Sequence, residues 1–220
     1  PEELLDWLEQ LRLDTRLPGA SKAERDFDAV NKRIRRRLGR LPPHWAERTD
    51  VLQALGRLYA EYGAAGFDAA RLALLRAIAE DSSQGLVPIS AIEQLINMEA
   101  RQAERLSVPG TGQDLAAATV LIDYALARVQ ALSTLSGLHP AVNAAPIYAL
   151  RADALRPNTE RQSIIGSVWK RKALILLRSS APKKDAVREA LMRARDAYAR
   201  GEADPRGAGW NPYARINRLQ

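Results

Sequence analysis

Two stretches decide the fold: Leu52-x2-Leu55-Gly56-x2-Tyr59 followed by Phe67-x2-Ala70-x3-Leu74-x2-Ala77, and Ile165-Gly166-x2-Trp169 followed by Ala190-x3-Ala194-x2-Ala197 and Asp204-Pro205. Both place apolar or small residues three and four apart, the spacing that lines one face of a helix. In each, a glycine on the first helix precedes an aromatic by one turn, and small residues recur on the second helix. The physical reason is packing: the missing side chain at Gly56 or Gly166 lets the second helix approach closely, and the aromatic fills the space beside the crossing. A helix pair of this kind cannot bury its apolar face alone, so it stacks on neighbours.

This pattern resembles the tetratricopeptide repeat, which carries Leu-Gly and an aromatic on helix A and spaced small residues on helix B. The resemblance implies an all-α, tetratricopeptide-like α-solenoid of antiparallel helix pairs. The expected organisation is an N-terminal variant helical layer over residues 1–42, then repeats over 43–220 stacked in one right-handed superhelix.

Punctuation along the chain gives the elements. Breaks fall at Pro18-Gly19, Pro42-Pro43, Gly63 to Gly66, Gly85, Pro109-Gly110 and Gly137 to Pro140,. Ser21-x-x-Glu24 and Thr159-x-x-Gln162 have the capping-box form that marks a helix start. Helices are expected at about 2–13, 21–39, 43–63, 67–80, 88–107, 113–136, 160–179, 183–201 and from about 211 onward, with boundaries good to about 2–4 residues. A short helix is expected within 147–155. The middle hairpin, 88–107 with 113–136, lacks the glycine but keeps Ala118, Ile122 and Ala125 on one face.

Composition narrows the function classes. With 46% hydrophobic and 27% charged residues in 220, the chain is ordinary for a globular protein. It has no cysteine and two histidines, His44 and His139. That excludes a disulfide framework, thiolate zinc and a cysteine nucleophile within this chain. No metal site and no cofactor are expected, and no nucleophile–base or paired-carboxylate constellation points to an enzyme. The longest apolar runs fall short of the ~20 residues that span a bilayer, so no membrane partner is expected, and a cytoplasmic location fits the absence of cysteine. The chain opens on Pro1-Glu2-Glu3 and closes within an expected helix, which reads as a fragment of a longer protein. Net charge is +7, split as +1 over residues 1–50, −3 over 51–150 and +9 over 151–220. A local cluster runs Lys32, Arg33, Arg35, Arg36, Arg37 and Arg40. Val30, Ile34 and Leu38 interleave with it, so an amphipathic helix with a basic outer face is the preferred reading over a phosphate-gripping arm.

Three further phrases carry a narrower resemblance: Ala91-Ile92-Glu93-Gln94-Leu95-Ile96-Asn97, Thr159 to Arg171, and Asn211-Pro212-Tyr213-x3-Asn217. Together they resemble the repeat region of bacterial proteins that join tetratricopeptide-like helices to a caspase-like CHAT peptidase domain. Such a peptidase needs a Cys–His pair, so nothing catalytic carries over. The resemblance implies a regulatory or sensing arm of a larger bacterial effector, of the defence kind.

In tetratricopeptide arrays helix A lines a concave groove. Counting from the glycines, that face holds Arg57, Asn97, Arg101, Ser167, Lys170 and Arg171. Donor-rich side chains of this type suit an acidic segment through charge-assisted hydrogen bonds, with a separate protein or a missing domain of the same parent as the partner. The competing reading of each residue is a solvated helix face with local ion pairs such as Arg57 with Glu61. The alternative function is a basic helical module that binds nucleic acid through the +9 final third.

Overall fold

The computed structural model describes residues 2–16, 26–86, 88–110, 112–137, 159–202 and 212–219. Among these residues ten helices and no strand are found: α1 (Glu2–Arg16), α2 (Phe27–Leu38), α3 (Pro43–Ala46), α4 (Thr49–Ala60), α5 (Phe67–Ser83), α6 (Ile89–Ser107), α7 (Leu115–Gly137), α8 (Thr159–Leu177), α9 (Lys184–Glu202) and α10 (Pro212–Leu219). The chain is all-α and tetratricopeptide-like, as the repeat pattern requires. The Ser21 capping box, the expected short helix within 147–155, His139, Asp204-Pro205 and Trp210 lie outside the described residues.

Two starts differ from expectation. α2 begins at Phe27, six residues after the expected Ser21, because Asp26 adopts extended backbone and its carboxylate accepts the Asp28 N–H at 3.0 Å,. The expected single helix over 43–63 is interrupted at Glu47–Arg48, and α4 starts afresh at Thr49. Arg48 is extended there. Its guanidinium pairs with Asp50 at 2.6 Å, and Asp50 also accepts the Val51 N–H at 2.8 Å. A salt-bridged carboxylate in the first turn thus satisfies an otherwise orphaned donor.

The chain divides into two compact units, Pro1–Met98 and Glu99–Gln220. In the first, α4 and α5 form the first hairpin, turned through Gly63 at φ 57°, a left-handed conformation that favours glycine. α1 and α2 close one side of this unit: Leu4, Leu8, Leu11, Val30 and Ile34 share one core with Val51, Leu52, Leu58, Leu74 and Ala77. The Tyr59 hydroxyl donates to Asn31 on α2 at 3.1 Å, and burial pushes that phenol's pKa up. Phe27 meets the rings of Tyr59 and Tyr62 edge-on at 5.6 and 5.7 Å,.

In the second unit α8 and α9 pair most extensively, α9 packs on α10, and α8 on α7. Ala173, Val187 and Ala190 fill one end of the α8–α9 contact, and Ala194, Tyr198 and Ala214 fill the other, with Trp169 beside both. A fully buried carboxylate, Glu99, receives Arg128 of α7 at 2.7 Å. By length and composition Leu115–Leu132 in α7 passes as a membrane-crossing segment. Here it carries Asp123 and Arg128, paired with Lys172 and Glu99, and buries Ala118, Ile122, Ala125 and Leu132 against the protein.

The two signature glycines act as close-approach points. A Cβ on Gly56 would stand 2.6 Å from Leu74 Cγ, and one on Gly166 would stand 2.8–2.9 Å from the ring of Tyr198. Both are crossings of helix A with helix B, where the repeat pattern puts them.

Candidate functional site

The six residues expected to face a partner fall into both compact units. Arg57 lies in the last turn of α4 and is exposed, and Asn97 is half-buried on α6. Arg101, Ser167, Lys170 and Arg171 belong to the second unit. There Ser167 and Arg171 turn toward one another. Ser167 is only 8% exposed. Its hydroxyl and its carbonyl both accept from the Arg171 guanidinium. The Nε of Arg171 donates to Glu104 at 2.8 Å, and Lys170 Nζ donates to Asn217 at 3.4 Å. The expected open, donor-rich face is therefore corrected for Ser167, which is buried. Lys170 and Arg171 spend donors on α10 and α6. Arg101 alone of these four is exposed.

This internal use of charge extends along α8. Lys172 reaches Asp123 at 2.6 Å, and Arg178 donates to the buried Ser107 hydroxyl at 2.7 Å. The Arg57–Glu61 pair of the competing reading gives way to another: Glu61 accepts from Arg12 at 3.2 Å and from Arg16, both on α1. These ties bridge residues 45 to 71 apart, so helical spacing carries no sign of them. Several cations of the final third are paired too, Arg193 with Glu189, Arg195 with Asp196, and Arg215 and Arg218 with Glu202. Among the described residues, these pairs offset part of the +9 charge of the final third.

What the second unit does offer is a groove of about 400 Å³ between the end of α8 and α9. Leu177, Leu191 and Met192 line it and stay 51%, 47% and 46% exposed, with Val187 below. Lys184, Arg188 and Arg195 border the same groove. Sequence reading missed it, because the repeat pattern draws attention to the buried face of α9, and Leu191 sits at the edge of that face with Met192 beyond it. The signal was an apolar pair one position off the Ala190–Ala194 stripe. Among the described residues no group of histidines and carboxylates is placed to hold a metal ion.

A family model described as Tetratricopeptide Repeats-Sensor (TPR-S) matches residues 66–220. Comparisons with curated proteins and with solved structures found no match. Repeats of the tetratricopeptide type mediate protein–protein interaction, and a scaffold is the coarse function that the match carries. With well over half of its length matched, and with the glycine crossings of both hairpins in place, the chain belongs to the Tetratricopeptide Repeats-Sensor family.

Proposed function

We propose that this scaffold binds an acidic, amphipathic helical segment of a protein partner, and that the second unit takes it in the α8–α9 groove. The observation that carries the reading is the pairing of an exposed apolar floor, Leu177, Leu191 and Met192, with a basic border of Lys184, Arg188 and Arg195. A helix laid in such a groove buries its apolar stripe on the floor and sets carboxylates against the border. The apolar contact supplies affinity, and the border sets orientation and on-rate. Within this unit the helix-A face contributes Arg101, while Lys170 and Arg171 hold α8 to its neighbours. Arg57 and Asn97 are proposed as contacts of the first unit. The wider role we propose is the sensing arm of a larger bacterial effector in the cytoplasm, on the resemblance to repeat regions that accompany CHAT peptidases.

The test is affinity capture from a nuclease-treated bacterial lysate, followed by binding measurements on the recovered protein. Leu191→Glu and the pair Lys184→Glu with Arg188→Glu are expected to abolish binding with circular dichroism unchanged. Arg57→Glu with Arg101→Glu tests the helix-A face in parallel. Loss of binding in that pair, with Leu191→Glu binding normally, would move the site to that face.

A further inference from the structure

The first unit holds a second surface feature, chemically unlike the α8–α9 groove and outside the residues that match the family. A groove of about 690 Å³ runs along α2 beside Trp7 of α1, lined by Lys32, Arg33, Arg36, Arg37 and Arg40. Residues 32 and 36 are one helical turn apart, about 6 Å at 1.5 Å rise per residue, 33 and 37 form a second pair beside them, and Arg40 follows in the turn just past the end of α2,. All five are exposed. Among the described residues none of the five side chains has an ion-pair or hydrogen-bond partner, whereas cations elsewhere in this protein take carboxylates across helices. Two of the five are held in place: the Arg37 guanidinium sits 4.4 Å from the Trp7 ring centroid, and Arg33 5.7 Å from it. That contact orients the guanidinium without neutralising it.

We infer that this groove binds the sugar–phosphate backbone of a nucleic-acid strand, without reading its bases. Closely spaced like charges are costly to hold together without a counter-charge, and a row of phosphates spaced along a strand supplies one. Four of the five are arginines, whose planar donors match phosphate oxygens in a bidentate way. Base stacking is not available, because the one aromatic in the groove already lies against Arg37. A membrane surface is disfavoured by geometry: the groove is concave, and its apolar lining beyond Trp7 is Ala29 and Leu41, too little for insertion among lipid chains. An acidic protein segment would find the charge but little apolar floor to anchor on.

The experiment uses the whole chain and a short labelled single-stranded oligonucleotide, with fluorescence anisotropy followed over a range of salt concentrations. Affinity is expected to fall steeply with salt. The triple substitution Lys32→Ala, Arg36→Ala and Arg40→Ala should lower affinity at least tenfold and flatten the slope of log K against log salt by about 2, near 0.7 for each lost phosphate contact. A triple of equal charge on α9, Arg188→Ala, Arg193→Ala and Arg195→Ala, is expected to bind as the parent does. Equal loss in both triples would mean attraction by net charge alone and would overturn the site. Tighter binding to phosphatidylserine vesicles than to the oligonucleotide would overturn it in favour of a lipid surface, and tighter binding to polyglutamate in favour of protein carboxylates.

Discussion

Single residues set the tolerances of this fold, and the glycines show how differently two of them do it. At Gly56 an added methyl meets the Leu74 side chain, while alanine gains about 1 kcal/mol of helix propensity over glycine,. The clash falls on the branch atom of a fully buried leucine and outweighs the gain, so Gly56→Ala is expected to lower stability modestly,. At Gly66 the same methyl would run into the backbone carbonyl of Tyr59, which cannot rotate away. Gly66→Ala should therefore lower the melting temperature clearly more than Gly56→Ala, and a reversed order would mean that the α4–α5 turn is drawn wrongly. Gly166→Leu drives a full side chain into the buried ring of Tyr198. It is expected to cost about 1–3 kcal/mol from overpacking, read by urea unfolding. An unchanged midpoint would refute the α8–α9 register.

At the scale of helices, stability comes from joining elements as much as from forming them. Glu99 is fully buried on α6 and takes its charge partner from α7. Removing one member strands the other, so Glu99→Ala is expected to cost about 3–5 kcal/mol. Adding Arg128→Leu should cost much less than its single effect, and a double-mutant cycle measures that coupling. The α3–α4 break has its own signature. The Arg48 guanidinium first, with the Val51 N–H behind it, holds the Asp50 carboxyl below the usual carboxylate range. A depressed pKa means stability that is present above about pH 4 and lost as the pH falls through the lowered value. Because solvent screens this half-exposed pair, Asp50→Asn should cost at most about 1 kcal/mol at neutral pH and nothing in strong acid. Equal effects of Asp50→Asn at both pH values would contradict the linkage. Helix existence was legible in the sequence because glycine, proline and apolar spacing act locally. The break at Glu47–Arg48 was not, since neither residue is a helix breaker and the cause is an ion pair two residues on. The fate of Arg171 and Glu61 was illegible for the same physical reason: their partners, Glu104 and Arg12, are distant in sequence and are chosen by packing.

For the whole molecule, the family match and the compact units do not share a boundary. The match starts at residue 66, between the two helices of the first hairpin, while the first unit runs from Pro1 to Met98. The N-terminal helices are thus structural partners of a repeat that the family pattern only half includes. A chain shortened to residues 43–220 would uncover the side of that core now closed by Leu4, Leu8, Leu11, Val30 and Ile34. It is expected to bind a hydrophobic dye and to melt at lower temperature than the full chain. Equal dye binding by both would show that α1 and α2 are dispensable to the core.

Of the two methionines in the chain, Met98 lies buried in the core of the first unit, and Met192 lies open on the floor of the α8–α9 groove. An oxidant such as peroxide meets only the second readily. Conversion of its thioether to the sulfoxide turns an apolar, pliable contact into a polar, chiral one. The surface proposed to receive a partner is thereby the part of this protein most open to reversible oxidative silencing, with its core left untouched.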